Sequence, residues 1–402
     1  MSVTRPTILQ IIPRLDTGGA ELSTIEITDA IVKAGGRAIV LTDGGRLADE
    51  ITRLGGELVP FPAGTKNPAR VVWNALAIAK IIRAEGVDLV HARSRAPAWS
   101  ALIAARRTGT PFVTTYHGAY SENGRIKNVY NSVMARSDAV IANSGYTAGL
   151  IRSRYGTAAE RITVIHRGVD GAAFDAQNIG PERVAALRTA WGLTPNERVI
   201  LQAARLTSWK GQAVLIAAAG LLKTSGQLGN AVVILAGDDQ GRTDYSDGLR
   251  AQIVALGLGN HVRLVGHVAD MPAALAVAYI SVIASTEPEA FGRSVTEAAS
   301  MGTPAIATDL GAPPETMLPH PNVPLHAATG WIVPPGDAAA LAQALADALA
   351  MSPAMRTAMG QRARTRTLEL FSLTAMKHQT LQVYDRLLLT KLCQAFDPSL
   401  RQ

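Results

Sequence analysis

Short runs of β-branched and aliphatic residues alternate with helix-length amphipathic segments along almost the whole chain, and this alternation is the strongest constraint on the fold. Strands that alternate with helices form parallel βαβ units, because each helix returns the chain across the sheet before the next strand begins. The predicted strands are residues 8–12, 37–42, 57–61, 87–91, 111–117, 138–144 and 161–166, followed by 199–204, 231–237, 261–266, 279–285, 304–309 and 330–335.

The alternation weakens at Asp170–Pro181 and then resumes, which divides the chain into two halves. A chain of 402 residues suits two domains of about 150–200 residues each. The sequence therefore predicts the α/β class, with two Rossmann-like domains facing across a cleft. The predicted divisions are an N-terminal acceptor domain at 1–170, a linker at 171–185, a C-terminal donor domain at 186–370, and a helix and tail at 371–402 that pack back.

Composition excludes several classes of protein. Hydrophobic residues make up 48% of the chain and charged residues 18%, which is a globular composition. The one cysteine, Cys393, can form neither an internal disulfide nor a Cys-x-x-Cys metal site. We see no secretory signal, and the longest largely apolar run, 273–284, is shorter than the roughly 20 residues of a membrane span. We therefore expect a cytoplasmic protein, either free or at the cytoplasmic face of the inner membrane.

The net charge of +7 is concentrated in residues 1–178, where 21 Lys and Arg face 15 Asp and Glu. This excess of positive charge would attract an anionic partner, or it is a charge imbalance that has no function. The predicted helix 69–84, with Trp73 among basic residues, would rest on an anionic membrane or expose a solvated basic face. Nucleic acid is not an expected partner, because the basic residues are not interleaved with aromatic ones and no binding motif occurs.

The segment EPEAFGRSVTEAASMGTP follows the predicted strand 279–285. Glu289 lies in its loop, Gly292 allows close backbone approach, a helix begins near Arg293, and Glu297 lies early in that helix. A carboxylate accepts hydrogen bonds from sugar or ribose hydroxyls, and N–H groups at a helix start suit anionic or hydroxyl-rich ligands. Two glutamates eight apart are also common in solvated loops and first turns, but the strand–loop–helix junction favours a ligand site.

Three further segments follow predicted strands. Arg205 and Lys210, in ARLTSWKG, are two cations that fit a diphosphate or lie on the surface. Gly18 and Gly19 open a helix that suits a phosphate or merely form a turn, and His117 ends a strand before a glycine. A second basic pair, Arg93 and Arg95, follows the strand 87–91, and it would meet an anionic acceptor or form a basic surface loop.

The glycine pair, the histidine, the Arg…Lys-Gly segment and the E-x7-E motif, in this order, resemble the retaining GT-B glycosyltransferases of family 4 over nearly the whole chain. The resemblance implies transfer of a sugar from a nucleotide-sugar donor. It also implies the following roles. Arg205 and Lys210 hold the diphosphate beside the Gly18 and Gly19 amides. Glu289, with the amides near Phe291 and Gly292, binds hydroxyls of the donor sugar. Glu297 binds the ribose, and His117 touches the sugar near the reacting carbon.

Two departures from the family pattern lie near the expected cleft. Arg167-Gly168-Val169-Asp170 stands where the family often has Asn-Gly-Val-Asp, and a glycine pair is reduced to Gly237-Asp238-Asp239. No Asp-x-Asp cluster follows a strand, so we expect cations and a helix dipole to stabilise the leaving group without a metal or other cofactor.

A narrower resemblance is to bacterial lipopolysaccharide-core transferases, often mannosyltransferases; it is carried by HARSRAPAWSA, YHGAY, YNSVMARSD and RLTSWKGQ. It predicts a hexosyltransferase that uses GDP-mannose or a UDP-sugar and a glycan or lipid-linked acceptor. The alternatives are a GT-B phosphorylase, a sugar-nucleotide epimerase and a non-catalytic nucleotide-sugar binding protein.

Overall fold

The structure is a computed structural model that describes residues 5–16, 18–118, 120, 124–241 and 243–397. The described residues form two compact units. The first runs to Gly168 and resumes at Leu373, and the second spans Val169–Ser372. In the described part of the chain, each unit contains one seven-stranded sheet in which every strand pair is parallel. The predicted α/β class with two Rossmann-like domains is therefore confirmed.

The first sheet has the strand order β3-β2-β1-β4-β5-β6-β7. Its central strands are buried on both faces because helices cover the sheet on each side. The strands are β1 (Thr7–Ile11), β2 (Arg37–Thr42), β3 (Glu57–Pro60), β4 (Leu89–Ala92), β5 (Phe112–Tyr116), β6 (Ala139–Ala142) and β7 (Ile162–Val164), and the helices are α1 (Gly19–Lys33), α2 (Ala48–Arg53), α3 (Pro68–Glu85), α4 (Arg95–Thr108), α5 (Arg125–Ser132) and α6 (Gly145–Tyr155).

The second sheet has the order β10-β9-β8-β11-β12-β14-β13. Its strands are β8 (Arg198–Ala203), β9 (Ala231–Ala236), β10 (Val262–Gly266), β11 (Ala278–Ile283), β12 (Ala305–Thr308), β13 (Pro319–His320) and β14 (Gly330–Val333). Strand β13 was not predicted, because two residues are too few to show a periodic pattern. The helices are α7 (Pro181–Ala190), α8 (Gln212–Thr224), α9 (Thr243–Ala255), α10 (Met271–Val277), α11 (Arg293–Ser300), α12 (Pro313–Thr316), α13 (Ala338–Ala350) and α14 (Pro353–Leu370).

The segment predicted as a linker, 171–185, belongs to the second unit and contains the start of α7. Ile179, Val184 and Leu187 pack against the apolar cluster beside β8 and β9. The glycine and proline residues that suggested a linker instead begin the helix, since Pro181 occupies its first turn after Gly180.

The C-terminal segment returns to the first unit as α15 (Leu373–Leu388) and α16 (Leu392–Phe396). The apolar residues that predicted a packed helix, including Met376, Leu381 and Tyr384, lie against Ile27 and Ile31 of α1. The predicted return of the C-terminal helix is therefore confirmed. An ion pair between Lys377 of α15 and Asp29 of α1 adds to this apolar contact, with Nζ 2.6 Å from Oδ2.

Candidate active site

Most of the residues singled out in the sequence follow strands at the reversal point of each sheet, and His117 follows β5, the strand next to β4. In the first unit, β1 and β4 are neighbours where the strand order reverses, and in the second unit β8 and β11 are. Ligands of open parallel sheets bind outside the carboxyl ends of the strands at this point. The topology thus places the loops after β1, β4, β8 and β11 where such ligands bind.

In the second unit, a glycine brings the loop after β8 against the end of β11. Gly211 has φ +71°, and a Cβ there would lie 1.9 Å from the carbonyl oxygen of Ala284. Only glycine fits this approach. Gly211 lies between the short helical turn Ser208–Lys210 and α8. Its close approach to β11 therefore places Lys210 next to the loop that follows β11.

Lys210 forms an ion pair with Glu289, although 79 residues separate them in the chain. Their side chains are mostly buried, with exposed fractions of 19% and 13%. Ser285 Oγ donates a hydrogen bond to Glu289 Oε1 at 2.6 Å, and the Lys210 ammonium lies 4.2 Å from the centre of the Trp209 ring. The structure therefore brings two of the predicted catalytic residues together in one ion pair.

The backbone of Glu289 is fixed by a second close approach. Glu289 pairs with Gly311 in an isolated parallel bridge, and the N–H of Ala312 donates to the Glu289 carbonyl at 2.9 Å. A Cβ at Gly311 would lie 2.3 Å from that carbonyl oxygen, so a larger residue would displace the Glu289 loop. Nothing in the loop sequence indicated Gly311 as a supporting residue, because it lies in the loop after the next strand.

The residues after Glu289 form the start of a helix, as predicted. Gly292, at φ +84°, caps α11, which begins at Arg293. Glu297 accepts a hydrogen bond from Arg293 Nε at 3.2 Å. Phe291 is buried and packs edge-on against Phe371 with ring centres 5.7 Å apart, which anchors the loop.

Arg205 and Thr207 lie in the same loop as Lys210. The Arg205 side chain is exposed, and within the described part of the chain no hydrogen bond or ion pair involves its guanidinium. Thr207 Oγ1 is buried without a hydrogen-bond partner among the described residues. A cation without a partner and an unpartnered hydroxyl in the loop that carries Lys210 are groups that an anionic, hydroxyl-bearing ligand can satisfy.

In the first unit, Arg167 connects the glycine turn after β1 with His117 after β5. Gly18 has φ +152° and precedes α1, which begins at Gly19. Arg167 is 5% exposed, and its Nη1 donates to the Gly19 carbonyl at 2.6 Å and to Ser23 Oγ. Its Nη2 donates to His117 Nδ1. Arg167 was noted in the sequence only as a departure from the family pattern, and its contacts were not predicted.

His117 Nε2 is buried and has no hydrogen-bond partner among the described residues. Burial lowers the pKa of His117 well below its usual value, and the positive charge of Arg167 lowers it further. The ring is therefore neutral at physiological pH.

Arg93 and Arg95 do not form the exposed basic loop that one interpretation of the sequence predicted. Arg93 is 3% exposed, and its Nε and Nη2 donate to Gln10 Oε1 on β1 at 2.9 and 2.5 Å. Arg95 Nη1 donates to Asn131 Oδ1 at 2.7 Å, and its guanidinium lies 3.9 Å from the centre of the Tyr120 ring. Both cations thus have partners inside the first unit, and the buried Arg93 does not present its charge at the surface.

The described residues contain no group of three or more His, Cys, Asp or Glu side chains arranged to hold a metal ion. Asp239, in the nearest acidic pair of the sequence, instead accepts hydrogen bonds from the Gly241 N–H and Ser246 Oγ, both at 3.0 Å. Metal independence remains a prediction.

No single helix in the described ranges is long and apolar enough to cross a membrane. The helices Ala338–Ala350 and Pro353–Leu370 meet that requirement only as a pair, which bends by 113° at its junction.

Comparison with known proteins gives the family. A family model described as Glycosyltransferase Family 4 matches residues 17–172, and one described as Glycosyl transferases group 1 matches residues 184–366. A crystal structure of a glycosyltransferase from Rickettsia africae ESF-5 is 32% identical, with a TM-score of 0.86, over 96% of this chain and 99% of that one. The chain therefore belongs to the GT-B glycosyltransferases of family 4.

Two relatives have more specific names. Anabaena Alr3699/HepE, crystallised in complex with UDP-glucose, is 25% identical with a TM-score of 0.80, over 94% of this chain and 99% of that one. A D-inositol 3-phosphate glycosyltransferase of Jonesia denitrificans is 30% identical over 243 residues, which is 56% of this chain and 56% of that protein. The chain thus spans little more than half the length of this second relative.

Proposed function

We propose that the protein is a retaining hexosyltransferase that moves a sugar from a nucleotide-sugar donor, a UDP-sugar or GDP-mannose, to a glycan or lipid-linked acceptor. The observation that carries the proposal is the Lys210–Glu289 pair, with the exposed Arg205 in the same loop as Lys210, at the carboxyl ends of β8 and β11. The family match supports it, and the UDP-glucose bound by Alr3699/HepE favours a nucleotide-sugar donor.

The chemistry depends on stabilising the leaving nucleoside diphosphate. Lys210 and Arg205 supply positive charge as the bond between the anomeric carbon and the phosphate oxygen breaks. The acceptor oxygen bonds to the same face of that carbon, and its proton passes to the departing phosphate oxygen, so that configuration is retained. Glu289 and the Phe291 and Gly292 amides bind hydroxyls of the donor sugar, and Glu297 binds the ribose. From the first unit, Gly18 and Gly19 are assigned to the diphosphate and His117 to the sugar.

A thermal-shift screen against UDP, GDP, ADP and their sugar conjugates, with EDTA present, tests the donor. A ligand at 100 times its Kd adds about 2.7 kcal/mol to stability. We expect one nucleotide series to stabilise the protein and Lys210→Ala to abolish that shift. Lys223→Ala is the matched control, because Lys223 is an exposed lysine of the same unit that contacts only the Gly257 carbonyl. Absence of any shift would refute the proposed donor.

Catalysis is tested by release of the nucleoside diphosphate. Loss of one leaving-group cation costs about 10²–10³ in rate by analogy with oxyanion donors. We expect a loss of this size in Lys210→Ala and normal turnover in Lys223→Ala. Normal turnover in Lys210→Ala would contradict the assigned role. Consumption of inorganic phosphate instead of an acceptor would indicate a phosphorylase.

We also propose that the first unit works at the cytoplasmic face of an anionic membrane, in lipopolysaccharide-core or other cell-envelope glycan synthesis. Helix α3 supports this, because Val72, Trp73 and Leu76 are 55%, 61% and 51% exposed on a helix that also carries Arg70 and Lys80. Exposed apolar side chains among cations are typical of helices that rest on anionic lipid.

Sedimentation with vesicles of anionic lipid tests this contact. We expect binding at low salt, weaker binding at high salt, and loss of binding in Trp73→Glu. Val254→Glu is the control, since Val254 is an apolar residue of the second unit that is even more exposed than Trp73, at 78%. Equal sedimentation of the two variants would argue against a membrane role for α3.

A further inference from the structure

The contacts of Arg167 determine which nitrogen of His117 carries the proton. A guanidinium has only donors, so the His117 Nδ1 that faces Arg167 Nη2 must be an acceptor without a proton. In a neutral imidazole the proton then lies on Nε2. That nitrogen is buried and unpartnered among the described residues, so its N–H is available to a bound ligand.

Arg167 also determines where this donor lies. Its Nη1 contacts the Gly19 carbonyl and Ser23 Oγ at the start of α1, while its Nη2 contacts the histidine. One buried side chain therefore holds the glycine turn after β1 and the imidazole after β5 in a common arrangement. The asparagine that the family often has here could not impose the same tautomer, because its amide can either donate or accept.

The charged and titratable groups around His117 favour the same state. Arg167 after β7, and Arg93 and His91 on β4 and its end, all lower the tendency of the ring to gain a proton. Tyr120, in the loop after β5, contacts the His117 backbone. The surroundings thus contribute positive charge and a neutral hydroxyl, and both leave the neutral imidazole favoured.

We propose that Arg167 is a positioning residue that holds His117 as the Nε2–H tautomer and so presents one N–H donor to an oxygen of the donor sugar. The sugar as recipient rests on the proposed function, whereas the tautomer is a property of the free protein. A sugar hydroxyl can either donate or accept a hydrogen bond, so a fixed N–H donor makes it the acceptor in this contact.

The test is NMR of the protein labelled with ¹⁵N-histidine, without ligand, between pH 5 and 8. The His117 signals are assigned by their loss in His117→Gln. In the wild type we expect a neutral Nε2–H ring throughout. In Arg167→Met we expect a mixture of tautomers and a His117 pKa that rises toward its ordinary value of about 6.5. Arg167→Lys, which can only donate, should restore the Nε2–H form.

Arg362→Met is the matched control, since it removes a partly buried arginine whose side chain, among the described residues, donates hydrogen bonds to the Ala328 carbonyl of the second unit alone. It should leave the His117 spectrum unchanged. If Arg167→Met does not fold by circular dichroism, Arg167→Gln makes the same comparison with an amide that can accept. A His117 tautomer and titration that are the same in wild type and in the Arg167 variant would overturn the proposal.

Kinetics supply a second measurement. Misplacement of a sugar-contacting group by about 1 Å can lower the rate about 10²-fold, so we expect kcat/KM to fall about 10- to 100-fold in Arg167→Met and less than 10-fold in Arg167→Lys. The His117 ionisation should lie at higher pH in Arg167→Met than in the wild type, because one of the charges that lower its pKa is removed. An Nε2–H tautomer that is lost in Arg167→Met, in a protein that binds no nucleotide, would support the role of Arg167 and refute the proposed function, so the two proposals can fail separately.

Discussion

Replacement of Lys377 by methionine tests whether the C-terminal helix is held to the first unit by charge as well as by apolar packing. Lys377 Nζ lies 2.6 Å from Asp29 Oδ2, and both side chains are 10% exposed. Lys33 Nζ lies 3.1 Å from the same oxygen but is 63% exposed. Methionine keeps the apolar stem of Lys377 and removes its charge, so the variant isolates the ion pair.

The magnitude follows from the burial. Removal of one partner of a buried ion pair costs about 3–5 kcal/mol, because the remaining charge is left in the interior. Lys33 still faces Asp29, but an exposed ion pair contributes only about 0–1 kcal/mol. We therefore expect a loss of about 2–4 kcal/mol in Lys377→Met. Addition of Asp29→Asn removes the stranded charge, so the double variant should lose less than the sum of the two single changes.

Hydrogen exchange by mass spectrometry measures this loss locally, which matters because two units need not unfold together. A loss of 2–4 kcal/mol corresponds to about 30- to 1000-fold less protection in peptides from α15 and α1. Arg386→Met is the control on the same helix, because its contact with Thr163 Oγ1 is exposed and 3.5 Å long. If Lys377→Met changes protection no more than Arg386→Met does, the pair adds nothing to apolar packing.

The pH dependence of the same variant has a definite sign. Burial raises the pKa of Asp29, but hydrogen bonds from Lys377 and Lys33 outweigh burial and lower it below its ordinary value of 3.8. A carboxylate with a lowered pKa contributes its full stability above the unfolded value and loses it as the pH falls through the folded value. The difference between wild type and Lys377→Met should therefore be constant above about pH 5 and shrink below about pH 4.

Three other changes have defined outcomes. Gly211→Ala should lower the free energy of unfolding of the second unit by more than about 2 kcal/mol in urea titrations, because its Cβ would lie 1.9 Å from the Ala284 carbonyl oxygen. Gly226→Ala is the control, since Gly226 also has a positive φ but lies in open space, and it should cost only about 1 kcal/mol. Glu289→Gln should lower kcat/KM for sugar transfer about 10- to 100-fold, since hydrogen bonds to charged groups contribute about 1.5–3 kcal/mol. Glu287→Gln changes an exposed glutamate and should leave kcat/KM unchanged. Equal activity of the two variants would remove Glu289 from the site. Burial and the Asp385 carboxylate raise the pKa of Cys393 to about 11. Alkylation of Cys393 at pH 8 should therefore be about 10²-fold slower than that of an ordinary thiol, and it should be faster in Asp385→Asn. Rapid alkylation of the wild type would contradict this prediction.

Strand positions could be predicted because parallel strands buried on both faces leave a strong local pattern. The predicted run 37–42 coincides with β2, and α11 begins at Arg293, where a glycine precedes the helical pattern. The strand ends then indicated which loops form the candidate site. Each of these signals lies within about ten residues of the chain, so periodicity and turn residues are sufficient to detect it.

Contacts between distant segments could not be predicted in the same way. Arg93 was interpreted either as a contact to an anionic acceptor or as part of a basic surface loop, because basic residues are mostly exposed. Its partner Gln10 lies on the neighbouring strand, where it pairs with His91 in the sheet register. The segment 171–185 was interpreted as a linker because glycine and proline interrupt the pattern. The same residues can equally begin a helix, and only the packing of Val184 and Leu187 decides between the two.

Arg167 shows how a departure from a family pattern can be informative without being interpretable from sequence. An arginine in place of asparagine could be an exposed substitution or an added charge for a ligand. The structure excludes the first, because Arg167 is 5% exposed and contacts Gly19, Ser23 and His117. A buried cation with these partners holds Gly19 and His117, two residues that we propose lie at the donor. The difference from the family pattern therefore acts on the protonation state of His117, which would otherwise be free to exchange its two tautomers.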